Sequence, residues 1–154
     1  MKILVVSDSH GDYRSFSRIV RSQTKAEVVL FLGDGFEEFN EVKMDFPQKM
    51  FIGVKGNNDW GCPLPMTEER VIEGKRFFLT HGHVERVKYG LDILKQKAIS
   101  RHADIVLYGH THVPYTEYDS GLYIMNPGAL RRFDCSYGVI DIQNGDILMN
   151  TSSF

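Results

Sequence analysis

At 154 residues, with 42% hydrophobic residues, 25% charged residues and a formal net charge of -2, the chain has the composition of one soluble globular domain spanning 1–154. No strong field of either sign favours a nucleic-acid polymer or an anionic membrane as partner, so an anionic substrate has to be attracted locally. The opening MKILVVSDSH is too short an apolar segment for a secretory signal, no run approaches the roughly 20 apolar residues of a membrane span, and the expected location is cytoplasmic.

Five short apolar runs recur along the chain: KILVVS at 2–7, EVVLFLG at 27–33, KMFIGVKG at 49–56, RFFLTHG at 76–82 and DIVLYGH at 104–110. Rich in Val, Ile and Phe and bounded by glycine, they read as buried strands. Between them, residues 12–23 place Phe16, Ile19 and Val20 at helical spacing behind Asp12 as N-cap. A weaker helix is expected over 36–44 with Phe36 and Phe39 inward, and another over 90–100 with Leu91, Leu94 and Ala98 on one face. This β-α-β-α opening implies a mainly parallel sheet.

After residue 64 the pattern changes. VIEGKRFF, VPYTEYDSGLYIMN and YGVIDIQNGDILMN each carry a turn between two strand-like runs, so the second half adds antiparallel hairpins. These hairpins are expected to form a second sheet packed on the first, with helices outside. Cys62 and Cys135 belong to no CxxC spacing and read as reduced thiols.

Each of the five apolar runs ends in residues of metal-ligand type: Asp8 and His10, then Asp34, then Asn57, Asn58 and Asp59, then His81 and His83, then His110 and His112. Ligands of open α/β sheets bind outside the carboxyl ends of strands, so the five clusters are expected to meet at one rim. In extended chain, residues two apart point to the same side, which would turn both members of Asp8-x-His10, His81-x-His83 and His110-x-His112 toward one pocket. One such pair alone would be a turn or a helix cap. No GxSxG elbow supports Ser7 or Ser9 as a nucleophile, and neither a GxxxxGK loop nor an HExxH helix is present.

Carboxylate, imidazole and amide oxygen together suit borderline divalent ions such as Mn, Fe, Ni or Zn, and two ions about 3.5–4 Å apart need a bridging group. Asp34, alone after its strand, is the natural bridge, with Asp8, His10 and His112 completing one site and Asn57, His81 and His110 the other. Two divalent ions set against two carboxylates and a hydroxide leave one net positive charge, suited to a phosphate. Metal ions lower the pKa of water to about 7, and a bridging hydroxide could attack phosphorus in line.

The ordered series SDSHGD, FLGDG, KGNND, THGH and YGHTH, followed by NPGA at 126–129, resembles the calcineurin-like metallophosphoesterases, in particular their small prokaryotic phosphodiesterase branch. The resemblance covers nearly the whole chain. It implies an α/β fold, a four-layer αββα sandwich of two mixed sheets flanked by helices. It also implies a binuclear phosphodiesterase with Asp8, His10, Asp34 and His112 at one ion and Asp34, Asn57, His81 and His110 at the other, manganese being the expected metal.

The chain departs from the pattern at Asn58, where many members carry a histidine taken to protonate the leaving group. An amide cannot do so, which favours substrates with good leaving groups. Asp59, which orients that histidine in the family, is left with fixing the loop, and His83 becomes the nearest replacement proton donor, with a hydrogen-bonding role beside the ligands as its alternative. Arg131 and Arg132, after NPGA, are candidates for contact with substrate phosphate, whereas His102 reads as structural. The expected partner is a small phosphodiester such as a cyclic nucleotide. The alternative is a protein-binding scaffold with the same fold, as in a retromer subunit, which need not keep every ligand.

Overall fold

The computed structural model describes residues 1–154, the side chain of Asp134 excepted. In chain order the elements are β1 (Lys2–Val6), α1 (Tyr13–Ser22), β2 (Ala26–Phe31), α2 (Phe36–Asp45), β3 (Met50–Gly53), β4 (Thr67–Ile72) and β5 (Lys75–Thr80). A 3-10 turn at Val87–Tyr89 precedes α3 (Asp92–Ser100) and β6 (Ile105–Leu107). The chain ends with β7 (Tyr115–Asp119), β8 (Leu122–Asn126), β9 (Leu130–Arg131), β10 (Asp134–Gln143) and β11 (Asp146–Ser153).

One mixed sheet runs β11-β10-β1-β2-β3, with β9 paired to β10; the other runs β4-β5-β6-β8-β7. Strand alternation explains how both faces of each sheet are buried. On β1, Ile3 and Val5 turn toward the second sheet and meet Phe77, Leu79, Ile105 and Leu107, while Leu4 and Val6 turn outward to Phe16, Ile19 and Val20 of α1. Phe78 and Val106 of the second sheet pack outward against Leu94 and Ala98 of α3. The result is the expected αββα layering.

The helices form where the pattern places them. Asp12 caps α1 by accepting from the Ser15 amide at 3.0 Å, which satisfies one of the open donors of the first turn. Beneath α1 and α2, Phe31 stacks on Phe16 and Phe39 with ring centroids 5.8 and 5.0 Å away. Each such pair adds about 0.5–1.5 kcal/mol to the burial of the rings.

All three expected hairpins form, as β4–β5, β7–β8 and β10–β11, but they do not share the second sheet. The last returns to the first sheet, where β10 pairs antiparallel with β1 in the register Ile3↔Ile140. Ile140 and Ile142 thereby join the core between the sheets. The second sheet in turn contains the parallel neighbours β5, β6 and β8. For the site, what matters is that β1, β2 and β3 are mutually parallel, as are β5 and β6, so the loops after these five strands emerge at one edge.

Candidate metal centre

The five loops are tied to one another by main-chain bonds. The Asp8 amide donates to the Gly33 carbonyl at 2.9 Å, the His10 amide to the Asp34 carbonyl at 3.1 Å, and the Gly109 amide to the His81 carbonyl at 2.9 Å. Asn126 ties in the NPGA turn: its buried amide donates to the Gly109 carbonyl and to Thr111 Oγ1, both at 2.9 Å, and accepts from the Gly128 amide. A role for Asn126 is legible in the sequence only as part of NPGA; its grip on YGHTH depends on contact across the turn.

Six of the eight expected site residues form two adjoining groups, Asp8, His10 and His112 in one and Asp34, His81 and His110 in the other, each with its ligand atoms within 4.8 Å of one another. His112 Nε2 lies 3.0 Å from Asp8 Oδ1 and 3.1 Å from His10 Nε2. In the second group, His81 Nε2 lies 3.3 Å from Asp34 Oδ2 and 3.2 Å from His110 Nδ1. Asp34 Oδ2 is also 3.9 Å from His10 Nε2, which puts this carboxylate between the groups.

The pairs do not converge as extended chain. Asp8, His10, Asp34, His110 and His112 all have φ between 42° and 68°, in the left-handed region. That conformation costs about 1–2 kcal/mol for an L-residue, although Asp and His tolerate it better than most. Such strain persists only where the surroundings hold it, and it is concentrated on the candidate ligands. Each side chain is therefore aimed by a tight turn just beyond its strand.

Asp34 is held from two sides. Asn58 donates its backbone N–H to Oδ1 and its side-chain amide to Oδ2, both at 2.9 Å. Asp59 accepts the amides of Asp34, Gly35, Phe36 and Gly56 at 2.7–3.0 Å, fixing the loop and placing a carboxylate at the start of α2. Gly56 is required by close approach, because a Cβ there would lie 2.0 Å from Asp34 Oδ1. Gly109 is required likewise, since its Cβ would lie 2.1 Å from Ser7 Oγ and 2.8 Å from Asp8 Oδ2.

The remaining candidates are placed differently. Asn57 is exposed, and the side chain that reaches Asp34 is that of Asn58. His83 stands beside the second group, its ring centroid 5.5 Å from that of His81 and 6.1 Å from that of His110. Its Nδ1 is buried without a hydrogen-bond partner among the described residues. Ser7 and Ser9 serve as donors, to Asp8 Oδ2 and to Glu38 Oε2. Arg131 Nη2 contacts His112 Nδ1, Arg132 is exposed, and His102 lies on the surface beyond α3. Both cysteines are free.

Burial opposes ionisation of both aspartates, but neighbouring histidines reverse it. Hydrogen bonds from His10 and His112 hold the Asp8 carboxyl well below the usual range, and bonds from His81 and Asn58 bring Asp34 to about 2. Burial also opposes charge on His81, yet its bond to Asp34 and the charges of Asp8 and Asp34 raise it above its ordinary value. His10 is raised by its bond to Asp8. His110 goes the other way, to about 4, through burial and the neighbouring His81.

This donor set fits divalent ions. His81 Nδ1 is 2.7 Å from the Leu32 carbonyl; donating its proton there leaves Nε2 as a lone pair facing Asp34 and His110. Two buried carboxylates that stay ionised face imidazole nitrogens at spacings that a central cation would bridge.

The comparisons agree with this chemistry. Residues 1–145 match the model of the calcineurin-like phosphoesterase superfamily domain. A phosphodiesterase of Escherichia coli, YfcE, is 29% identical over 173 aligned positions covering 92% of this chain and 88% of that protein. A predicted phosphoesterase from Streptococcus pneumoniae, solved by crystallography, superposes with a TM-score of 0.84 at 25% identity over 99% of this chain and 88% of that one. The fold is shared more widely: Vps29 from Entamoeba histolytica, crystallised with zinc, superposes at TM-score 0.76 and 24% identity over 99% of both chains. With the family's motifs delivered to one edge of its fold and its model matched over nearly the whole length, the chain belongs to the calcineurin-like phosphoesterase superfamily.

Proposed function

We propose that residues 1–154 act as one binuclear metal-dependent phosphodiesterase domain for small substrates. The observation that carries this reading is the position of Asp34 Oδ2, 3.3 Å from His81 Nε2 of one group and 3.9 Å from His10 Nε2 of the other. Asp8, His10 and His112 would hold one divalent ion and Asp34, His81 and His110 the second. Asp34 would be shared between them, and Asn57, exposed beside Asn58, would be a further ligand if its side chain turned inward. Manganese is the expected metal, with Fe, Ni or Zn as alternatives, and the name of the E. coli relative supports a diester over a monoester.

Two bound divalent ions supply positive charge for the phosphate and an acidified water for attack on it. The protein's own part is positional. Asn58 and Asp59, consecutive in the third loop, hold Asp34 at its carboxylate and at its backbone amide, so the carboxylate is fixed before charge develops. His83, with Nδ1 unbonded among the described residues, is the group placed to accept or pass a proton beside the ligands, and burial favours its neutral form. With Asn58 where a general acid stands in many relatives, substrates whose leaving group needs no proton are favoured.

The scaffold reading has the Vps29 likeness behind it, which at 24% identity speaks to fold alone. A protein-binding subunit has no need of strained, mutually braced ligand residues in two sets. Hydrolysis of bis(4-nitrophenyl) phosphate after chelation and readdition of Mn separates the readings. The enzyme regains turnover with metal and loses at least about 100-fold on Asp34→Ala. Metal-independent turnover, or none, contradicts the proposal.

A further inference from the structure

Two clefts open on either side of His10, and their charges are opposite. The larger, of about 990 Å³, lies between α1 and the β9–β10 turn and is walled by Arg14, Arg18, Arg131, Arg132 and Phe133. The one carboxylate among the described residues that line it, Asp12, is engaged as the α1 cap, with bonds of 3.0 and 2.6 Å to Ser15. The smaller, of about 240 Å³, is lined by Asp34, Glu37, Glu38, Asp59, Phe36 and Trp60 among others and contains no lysine or arginine.

The four arginines come from opposite walls. Arg14 and Arg18 are one turn apart on α1 and therefore share a face. The Arg18 guanidinium lies 3.8 Å over the Phe154 ring, held without a carboxylate, and Arg131 reaches His112. Among the described residues none of the four forms an ion pair; the lysines and arginines that do are Arg70, Arg101, Lys95 and Lys97. A chain of net charge -2 has thus gathered four cations, unpaired with any carboxylate among the described residues, at the mouth of the candidate metal centre.

We propose that the arginine cleft binds a second phosphate group carried by the substrate beyond the ester that is cut, so that the substrate is a phosphodiester bearing a further phosphate. This rests on the phosphodiesterase reading and names its substrate class. Guanidinium forks match phosphate oxygens in pairs, and facing walls let more than one fork reach the same group. The acidic cleft across His10 repels such a group, so the two clefts orient the substrate: its anionic end toward α1, its uncharged end toward Phe36 and Trp60.

The matched probes are thymidine 5′-phosphate and thymidine 3′,5′-bisphosphate, titrated calorimetrically into Mn-loaded protein. The bisphosphate is expected to bind about 10- to 100-fold more tightly, the range that one or two charge-assisted hydrogen bonds provide, with the gap narrowing as salt is raised. Exposed Arg14 and Arg132 can be changed without disturbing the core, and Arg14→Gln with Arg132→Gln should erase the gap. Equal affinity of the two probes, or a gap that survives the double substitution, overturns the proposal. In parallel, the 4-nitrophenyl diesters of the same two nucleotides report on the enzyme itself. Absence of turnover with both counts against the phosphodiesterase reading, while the binding comparison still decides the second-phosphate site.

Discussion

Asn58 donates both its backbone and its side-chain N–H to the carboxylate of Asp34, one to each oxygen at 2.9 Å. The position that many relatives use for a proton donor is used here to brace the carboxylate shared between the two groups. Asn58→Ala should therefore weaken metal binding at the His81–His110 side and lower turnover by about 10-fold, the effect of losing a partner that orients a ligand. Metal titration by calorimetry checks it, and unchanged affinity would show that the backbone bond alone suffices.

Asn58→His exchanges that brace for an acid. General-acid help is worth about 10²–10⁴-fold and matters only where the leaving oxygen is basic. The ratio of turnover for a methyl 4-nitrophenyl diester against one with a purely alkyl leaving group should shift by at least about 10-fold toward the alkyl ester. A constant ratio argues that this position lies out of reach of the leaving oxygen.

His83 gives the complementary result. Its Nδ1 makes no hydrogen bond among the described residues, so it contributes little to the fold, yet its ring stands beside His81 and His110. His83→Ala should keep the full metal complement and lose about 10²-fold in kcat, most on poor leaving groups. Metal loss in this variant would make His83 a support for the ligands and leave the proton donor elsewhere.

Protons and metal compete for the same nitrogens, and the direction differs by residue. His81 and His10 are raised above 6.5, so in the metal-free protein their pairing with aspartate stabilises fully below pH 6.5 and is lost as pH rises through their folded values. His110, at about 4, is already neutral across that window. Metal binding near pH 6.5 should release protons from His10 and His81 and not from His110, and affinity should rise with pH above it. Calorimetry in buffers of different ionisation enthalpy measures the release; none at pH 6.5 contradicts the assignment.

Much of this was legible in the residues because local pattern controlled it. The five apolar runs became β1, β2, β3, β5 and β6, and α1 to α3 lie within two residues of the expected helices. The partnership of β10 with β1 was not, because YGVIDIQNGDILMN specifies a hairpin but not the strand it will join. The two-residue β9 carries no periodicity to read. At the site, the residue types at the strand ends announced the six residues that the fold gathers into two candidate metal groups. Their left-handed turns were hidden, since at the site they are held by bonds between segments, such as those of Asn126 and Asp59. The brace of Asn58 on Asp34 and the meeting of Arg14 and Arg18 with Arg131 and Arg132 depend on contacts between distant segments; spacing along the chain shows only that Arg14 and Arg18 share a helix face.

The most direct test of the account is electron paramagnetic resonance of the protein titrated with Mn²⁺. Two ions per chain giving an exchange-coupled signal, replaced by one ion or by uncoupled signals in Asp34→Ala, is the result expected of two sites joined through that carboxylate. A single uncoupled ion in the unmodified protein, or coupling that survives Asp34→Ala, would contradict it.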